Sequence, residues 1–390
     1  MAFMISLVAL SIDAMLPALT EIGRVLGGQS DNESQLIISR LFLGMAIGQI
    51  FWGPLSDSFG RKRTIYAGLI LFILSCLMSI FAQSFTMMLL SRFLQGVGVA
   101  GPRSVTLALV RDVYSGRLMA RVMSFVMTVF MIVPILAPAL GQGILFIADW
   151  RAIFWLFLVL AIIALIWLAT RQPETHPIEK RTPFSMQRIM QAVVEVGRNR
   201  AALGYTISAG LISGPFLGYL SSSPQIFQDM YGLGAQFPLY FGLLAVAIGV
   251  ASLSNARLVM VYGMRILTQR AILILSGLAI LYFIFSYAVG GQPPLWSFML
   301  YFAGTFLCIG VLFGNLNALA MEPLGHIAGV GAAVVGSLST LISVPLGTYI
   351  GQAYNDTVLP LVGGYAVFGI LTALVMRWAE SKQATQVSEV

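Results

Sequence analysis

One carboxylate of this sequence lies where an electric charge is costly. Asp13 stands within the apolar run 2–20, whereas the other acidic residues fall in loops, at the rims of apolar runs or in the C-terminal tail. An ionised side chain inside an apolar layer requires a partner or a function. We predict that Asp13 takes up and releases a proton. A structural ion pair that locks two helices together is the alternative.

Three arginines stand inside apolar runs and are the possible partners of Asp13. At 1.5 Å of rise per residue, Asp13 lies about 10 Å from the outer end of its run, and Arg92 and Arg40 lie about 8 Å from the same side. Arg92 is therefore the first choice of partner and Arg40 the second, although Arg92 can alternatively extend its side chain to the headgroups. Arg103 lies about 24 Å from that side, where a cation requires a partner or a water-filled cavity.

Charges of both signs also gather at the ends of apolar runs. Asp57 ends one run, and Arg61 begins the next directly after Gly60. Arg111 and Asp112 end a third run. Glycine permits the tight turn that so short a connection needs. The opposite charges at these ends predict an ionic network.

Polar and aromatic side chains are the groups that a small molecule would contact within the apolar runs. The predicted substrate-binding residues are Asp13, Arg103, Phe130, Tyr219, Asn315 and Asn317. Asn315 and Asn317 are two positions apart and cannot share one helix face, and hydrogen bonding between helices is the alternative for either. For Phe130 the alternative is ordinary packing.

The elements that must position these residues are membrane-spanning helices. The sequence is 58% hydrophobic and 9% charged, with a mean hydropathy of +0.89, whereas soluble domains contain about 25% charged residues. At about 20 residues per span, a chain of 390 residues has room for a dozen helices. The predicted spans are 2–20, 35–54, 65–83, 87–110, 121–145, 152–170, 201–222, 236–256, 270–289, 296–320, 328–350 and 359–378.

A polar and basic segment separates the first six spans from the last six. We predict an N-terminal six-helix domain at 1–170, a linker at 171–200 with an amphipathic helix near Met186–Val196, a C-terminal six-helix domain at 201–378 and a cytoplasmic tail at 379–390. With a cytoplasmic N-terminus, most of the 22 Lys and Arg residues face the cytoplasm, and only Arg24 and Arg151 lie in outer loops. Both termini are therefore predicted to be cytoplasmic, and the net charge of +7 does not indicate a nucleic-acid partner.

The residues of the charged turn carry a resemblance to a known family. The stretch GMAIGQIFWGPLSDSFGRKR, residues 44–63, resembles the loop between helices 2 and 3 of the major facilitator superfamily, G-x-L-(S/A)-D-x-x-G-R-(K/R). The sequence GPLSD, which follows Gly48-Gln49, resembles the corresponding sequence of the Bcr/CflA group of drug:proton antiporters. The two halves of such a transporter are related by a repeat, of which Gly263-Met264-Arg265 looks like a weak copy of the first-half turn.

Two further motifs add to the resemblance. Arg92 opens an R-x-x-Q-G sequence similar to the superfamily motif of helix 4, in which the arginine is associated with proton coupling. Pro134, Pro138 and Gly141 match part of the antiporter motif G-P-x-x-G-G of helix 5. Two prolines at this spacing kink a helix, so a generic kinked packing helix is the alternative.

The resemblance implies an all-α integral membrane protein of the major facilitator fold, with 12 transmembrane helices in two pseudo-symmetric six-helix bundles. It implies proton-coupled multidrug efflux across a bacterial inner membrane, for small lipophilic compounds such as amphenicol- or bicyclomycin-like drugs. The implied proton-coupling residues are Asp13, Arg92 and Arg40, and the implied gate residues are Asp57, Gly60, Arg61, Arg111 and Asp112. A monomer that uses the proton gradient, with membrane lipid around it and no cofactor or metal, completes the prediction.

Other functions remain to be compared with efflux of drugs. A dedicated proton-coupled exporter of a metabolite or siderophore would carry the same motifs. An enzyme is disfavoured because no nucleophile, base and acid converge in the spans and no Cys or His spacing indicates a metal site. A channel is disfavoured because no filter-like loop is present. The sequence therefore predicts a transporter that is not an enzyme.

Overall fold

Long apolar helices account for most of this structure. The computed structural model describes residues 2–387, except for the side chains of residues 120, 180 and 382–387. No β-strand occurs within the described residues. The α-helices are α1 Ala2–Asp13, α2 Leu19–Val25, α3 Leu36–Phe59, α4 Arg61–Ile80, α5 Phe85–Val113, α6 Gly116–Leu145, α7 Arg151–Arg171, α8 Met186–Arg198, α9 Arg200–Pro224, α10 Phe237–Tyr262, α11 Met264–Ala288, α12 Leu295–Met321, α13 Ala328–Gln352 and α14 Leu359–Val387.

The long helices agree with the predicted spans. In the described part of the chain, 11 helical segments are long and apolar enough to cross a membrane. One of them, Leu295–Gln352, contains both α12 and α13. Separated at the 3₁₀ turn Glu322–Ile327, these two helices bring the segments of residues 2–387 to the predicted twelve. The prediction of an all-α membrane protein is confirmed.

The helices pack into two compact units. The first unit ends at Ile189 and also contains Phe237–Gly242, and the second contains Met190–Gln236 and resumes at Leu243. The division falls in α8, inside the predicted linker, while the predicted domain limits 1–170 and 201–378 stay a prediction. α14 continues to Val387, so the predicted tail 379–390 is helical up to that residue, and 388–390 lie outside the described residues.

The linker contains the predicted amphipathic helix. α8 extends over Met186–Arg198, which confirms the expectation of a helix near Met186–Val196. Ile189, Ala192 and Val196 are buried, and a spacing of three to four residues places them on one face. The helix therefore packs through one apolar face and leaves its other side exposed, as an amphipathic surface helix does.

The first predicted span is not one continuous helix. α1 ends at Asp13, a 3₁₀ turn occupies Leu16–Ala18, and α2 begins at Leu19. Pro17 accounts for the break, because proline lacks a backbone N–H and its ring clashes with the carbonyl of the residue four positions earlier. That residue is Asp13. The predicted proton site therefore lies at the end of a broken helix.

Glycines let helices of the first unit approach one another closely. A Cβ on Gly96 of α5 would overlap the carbonyl oxygen of Leu41 in α3. In the same way, a Cβ on Gly141 of α6 would overlap the carbonyl oxygen of Ala14, directly after Asp13. Small residues allow such contacts between membrane helices. α6 thus packs against the break that carries the buried carboxylate.

Candidate functional site

Asp13 is buried at the break between α1 and α2. The residue is only 4% exposed, and within residues 2–387 its carboxylate forms no ion pair. Pro17 has no N–H to donate to the carbonyl of Asp13, as the residue four positions later does in a continuous helix. A carboxylate with this burial and without a cation is suited to exchange a proton, because holding a fixed charge there is costly.

Arg92 reaches the same broken helix from α5. It is 0% exposed, and its Nη2 donates a hydrogen bond to the carbonyl oxygen of Ser11 at 2.8 Å. Its Nη1 donates to Oε1 of Gln95, whose Nε2 donates to Sγ of Cys76 at 3.2 Å. The guanidinium also lies 5.8 Å from the ring centroid of Phe154. Arg92 is therefore anchored inside the first unit, and the alternative of extension to the headgroups is wrong.

The predicted ion pairs of Asp13 are not formed in this structure. Arg92 binds the Ser11 carbonyl, two residues before Asp13, instead of the carboxylate. Arg40 is exposed on α3, so the second choice of partner does not share the buried environment of Asp13. Arg103 is partly buried in α5 and makes no ion pair within the described residues. Depth along a helix does not fix the direction in which a side chain points, because successive residues differ by about 100°.

The ionic network predicted at the end of α3 is present. Arg61 lies 2.5 Å from Oδ1 of Asp57 through its Nη1 and 2.8 Å from Oδ2 of Asp112 through its Nε. Nη1 also donates to Oγ of Ser56 at 2.9 Å. Arg111 is exposed and makes no ion pair in the described part of the chain, because adjacent helix positions differ by about 100° in direction. The prediction that Arg111 joins this network is therefore wrong.

Gly60 provides the turn that this network requires. Its φ of 99° and ψ of 157° lie in a region that residues with a Cβ rarely adopt. The backbone N–H of Gly60 donates to the carbonyl of Ser56 at 3.1 Å, and α4 begins at the next residue. The turn thus places Arg61 between the ends of α3 and α5.

A segment of the linker also contacts this network, which the sequence did not predict. Oε1 of Glu174 accepts a hydrogen bond from the backbone N–H of Arg61 at 2.9 Å, and Thr175 Oγ1 donates to Oδ2 of Asp112 at 3.3 Å. The backbone N–H of Thr182 donates to the carbonyl of Asp57 at 3.2 Å. The only sequence signal was an acidic residue in a linker that joins segments rich in arginine.

The second unit repeats the turn in weaker form. Gly263 has a φ of 77° and a ψ of 155°, close to the angles of Gly60, and α11 begins directly after it. Arg265 follows and pairs with Glu322 at 3.1 Å. Met260 occupies the place that Asp57 has in the first unit. The weak sequence repeat at Gly263-Met264-Arg265 therefore corresponds to a repeated backbone turn.

The predicted binding residues of the second unit have different environments. Asn315 is 3% exposed and exchanges hydrogen bonds of 3.0 and 3.1 Å with Asn255 of α10, so the alternative of bonding between helices holds for it. Asn317 is exposed and donates to the carbonyl of Phe313 at 3.0 Å. Tyr219 is buried within an aromatic cluster, with ring centroids 5.1 and 4.8 Å from those of Phe302 and Phe306.

The remaining predicted residues lie on α6 of the first unit. Phe130 is partly buried, and Pro134 and Pro138 lie within the helix. Gly141 is buried against Ala14, as described above. Within the described residues, no group of three or more His, Cys, Asp or Glu side chains could hold a metal ion.

Long apolar helices in two compact units, with charged groups at their ends, define a multi-pass membrane protein. The profile of the Major Facilitator Superfamily matches residues 1–348. The chain belongs to this family, whose members are transporters of small molecules driven typically by ion gradients.

Relatives and a solved structure agree with this assignment. The chain is 30% identical over 387 residues to an uncharacterised MFS-type transporter, YdgK, of Bacillus subtilis, with 95% of each chain covered. It is 28% identical over 366 residues to a bicyclomycin resistance protein homolog of Haemophilus influenzae, covering 92% of this chain and 90% of the other. The xylose transporter XylE from E. coli shares the fold with a TM-score of 0.75 at 15% identity, covering 96% and 95% of the chains.

Proposed function

We propose that this protein exports small lipophilic compounds, such as amphenicol- or bicyclomycin-like drugs, in exchange for protons. The observation that carries the proposal is the buried carboxylate of Asp13 at the break of α1, next to a buried arginine that contacts the same helix. The relative named as a bicyclomycin resistance protein homolog supports the substrate class. The transporter acts as a monomer in the bacterial inner membrane, with both termini in the cytoplasm.

Asp13 takes up a proton from the outer side and releases it to the cytoplasm, and substrate binding alternates with protonation. When Asp13 ionises, its charge needs a compensating cation. Arg92 supplies that cation, because it already contacts α1 at the carbonyl of Ser11. When Asp13 is protonated, Ser11 and Gln95 hold the guanidinium. The proton gradient alone drives the cycle, without a cofactor.

The network of Asp57, Arg61 and Asp112 serves as the cytoplasmic gate. Its charges lie at the ends of α3, α4 and α5, where a relative movement of the helices changes their distances. Because charge-assisted hydrogen bonds are stronger than neutral ones, the network favours the state in which these ends are together. Breaking and reforming it permits alternating access.

The test of coupling is Asp13→Asn in proteoliposomes with an imposed proton gradient. We expect the variant to fold and insert but to lose accumulation of chloramphenicol against its gradient, because an amide cannot exchange the proton. Asp31→Asn, an exposed acid in the segment after α2, is the matched control and should transport normally. Full uphill transport by Asp13→Asn would refute the role, and misfolding would favour a structural one.

A further inference from the structure

Part of the linker lies across the ionic network as a strap, which we define as residues 174–182. The strap contacts three helix ends of the first unit: Thr182 bonds Asp57 at the end of α3, and Thr175 bonds Asp112 at the end of α5. Between them, Glu174 binds the start of α4. The linker is therefore in contact with every helix end that contributes a charge to the network.

The carboxylate of Glu174 joins two distant segments of the chain. Oε1 accepts hydrogen bonds from the backbone N–H groups of Arg61, Thr175 and His176 at 2.9, 3.0 and 3.0 Å. Oε2 accepts one from the N–H of Lys62 at 3.2 Å. The first N–H groups of a helix have no partner within it and favour a negative charge. Glu174 thus satisfies the first turn of α4 and fixes its own segment at once.

Gly60 makes this arrangement possible in a second way. As the residue before α4 it has no side chain that could cap the helix. A Cβ at this position would lie 2.5 Å from Oε2 of Glu174 and 2.8 Å from Nη2 of Arg181. The absence of a side chain therefore leaves the space in which a linker carboxylate replaces the usual local cap.

The backbone of Arg61 is the point at which strap and network meet. Its N–H is bound by Glu174, while its guanidinium reaches Asp57 and Asp112 in two directions. Because both ion pairs need one fixed position of the first turn of α4, we propose that Glu174 is the positioning residue of Arg61. The linker thereby helps to keep the network closed. The positioning of Arg61 does not depend on the proposed function; only its effect on transport rests on the proposed gate.

The experiment measures how well the end of α3 is covered in the full-length protein. Ser58→Cys introduces a partly buried thiol one residue after Asp57, and the native Cys76 and Cys308 are buried. The probe is a membrane-impermeant maleimide applied to the purified protein in detergent. Glu174→Ala should raise the rate of modification about tenfold, the scale of one lost charge-assisted hydrogen bond. Glu179→Ala, an exposed acid of the same strap, is the matched control and should leave the rate unchanged.

A double variant separates positioning from general loosening. If Glu174 acts through Arg61, adding Glu174→Ala to Arg61→Ala should increase the rate no further, because the two changes disrupt one unit. An unchanged rate in Glu174→Ala, or fully additive effects of the two changes, overturns the proposal. If Glu174→Ala fails to fold, Glu174→Gln applies the same test. Glutamine replaces one carboxylate oxygen with an NH₂ group, which cannot accept a hydrogen bond from a backbone N–H. Faster modification with normal drug export would uphold the positioning role and refute the gate.

Discussion

At the scale of single residues, the buried arginine has partners of its own. The carbonyl of Ser11 and the amide oxygen of Gln95 accept hydrogen bonds from Nη2 and Nη1 of Arg92, whereas its buried Nε has no hydrogen-bond partner within the described residues. An arginine that depended on Asp13 alone would be left uncompensated at each protonation, which is costly in a buried site. In the proposed mechanism, these two hydrogen bonds hold the guanidinium in place while Asp13 is protonated.

The charged network leads to a prediction for Arg61. We expect Arg61→Gln, and likewise Asp57→Asn, to lower the transport rate at least about tenfold, since each removes charge-assisted hydrogen bonds worth about 1.5 kcal/mol or more. Substrate affinity in detergent should remain nearly intact, because Asp57, Arg61 and Asp112 are not among the predicted binding residues. Arg63→Gln is the matched control, since Arg63 is exposed on the same helix turn. Unchanged two-sided accessibility in Arg61→Gln would contradict the gate.

At the scale of elements, the break after α1 packs against a glycine of α6. Pro17 ends the regular helix at Asp13, and Gly141 lets α6 pack against the carbonyl of Ala14 that follows. The partial antiporter motif thus contacts the residue directly after Asp13, the proposed proton site. Gly141 therefore has a packing role in this motif, in addition to any kink that Pro134 and Pro138 produce.

We expect Gly141→Ala to destabilise the protein by about 1–3 kcal/mol, as overpacking of a tight contact does. The added methyl group would overlap the Ala14 carbonyl and move the end of α1. Gly143→Ala is the control on the same helix, because a Cβ there would have nothing within 4 Å. Thermal unfolding of the purified variants in detergent measures the difference, and equal melting of the two would disprove the packing role.

The amide pair of Asn255 and Asn315 gives a second test at this scale. We expect Asn315→Ala to lower stability by about 0.5–1.5 kcal/mol, the range of hydrogen bonds between membrane helices, because it leaves Asn255 without its partner. Asn317→Ala, an exposed neighbour on α12, should have no effect. Non-additive unfolding energies in a cycle with Asn255→Ala would establish the pair. A loss of drug binding with full stability would instead assign Asn315 to the substrate site.

At the scale of the whole molecule, the charge of the predicted binding residues leads to a prediction for the substrate. Among the proposed binding residues, Arg103 supplies a cation and Asp13 an acid that exchanges protons, while the others are neutral or aromatic. We therefore expect cells that express the protein to resist neutral or weakly anionic lipophiles at least severalfold better than quaternary ammonium compounds. Minimum inhibitory concentrations across both classes measure this, with the Asp13→Asn strain as control. Resistance dominated by quaternary ammonium compounds would exclude the proposed selectivity.

The sequence by itself determined which segments form the long apolar helices, although not the break of α1 after Asp13 or the extension of α14 to Val387. Apolar runs predict spans because each helix must satisfy its own backbone hydrogen bonds in lipid, and this is a property of the local sequence. Gly60 and Gly263 also indicated their turns from local sequence alone, because a turn with a positive φ favours glycine at that one position. The network of Asp57, Arg61 and Asp112 was predictable because its members lie at helix ends that hydropathy locates.

Only the tertiary structure decided which side chains meet. Depth along a helix ranked Arg92 and Arg40 as partners of Asp13, but the rotation of each helix exposed Arg40 and turned Arg92 to the carbonyl of Ser11. Glu174 stands 113 positions from Arg61, and no periodicity relates residues so far apart. Contacts of this kind depend on how closely helices and linker approach one another, which is set by packing against glycines and by breaks at prolines.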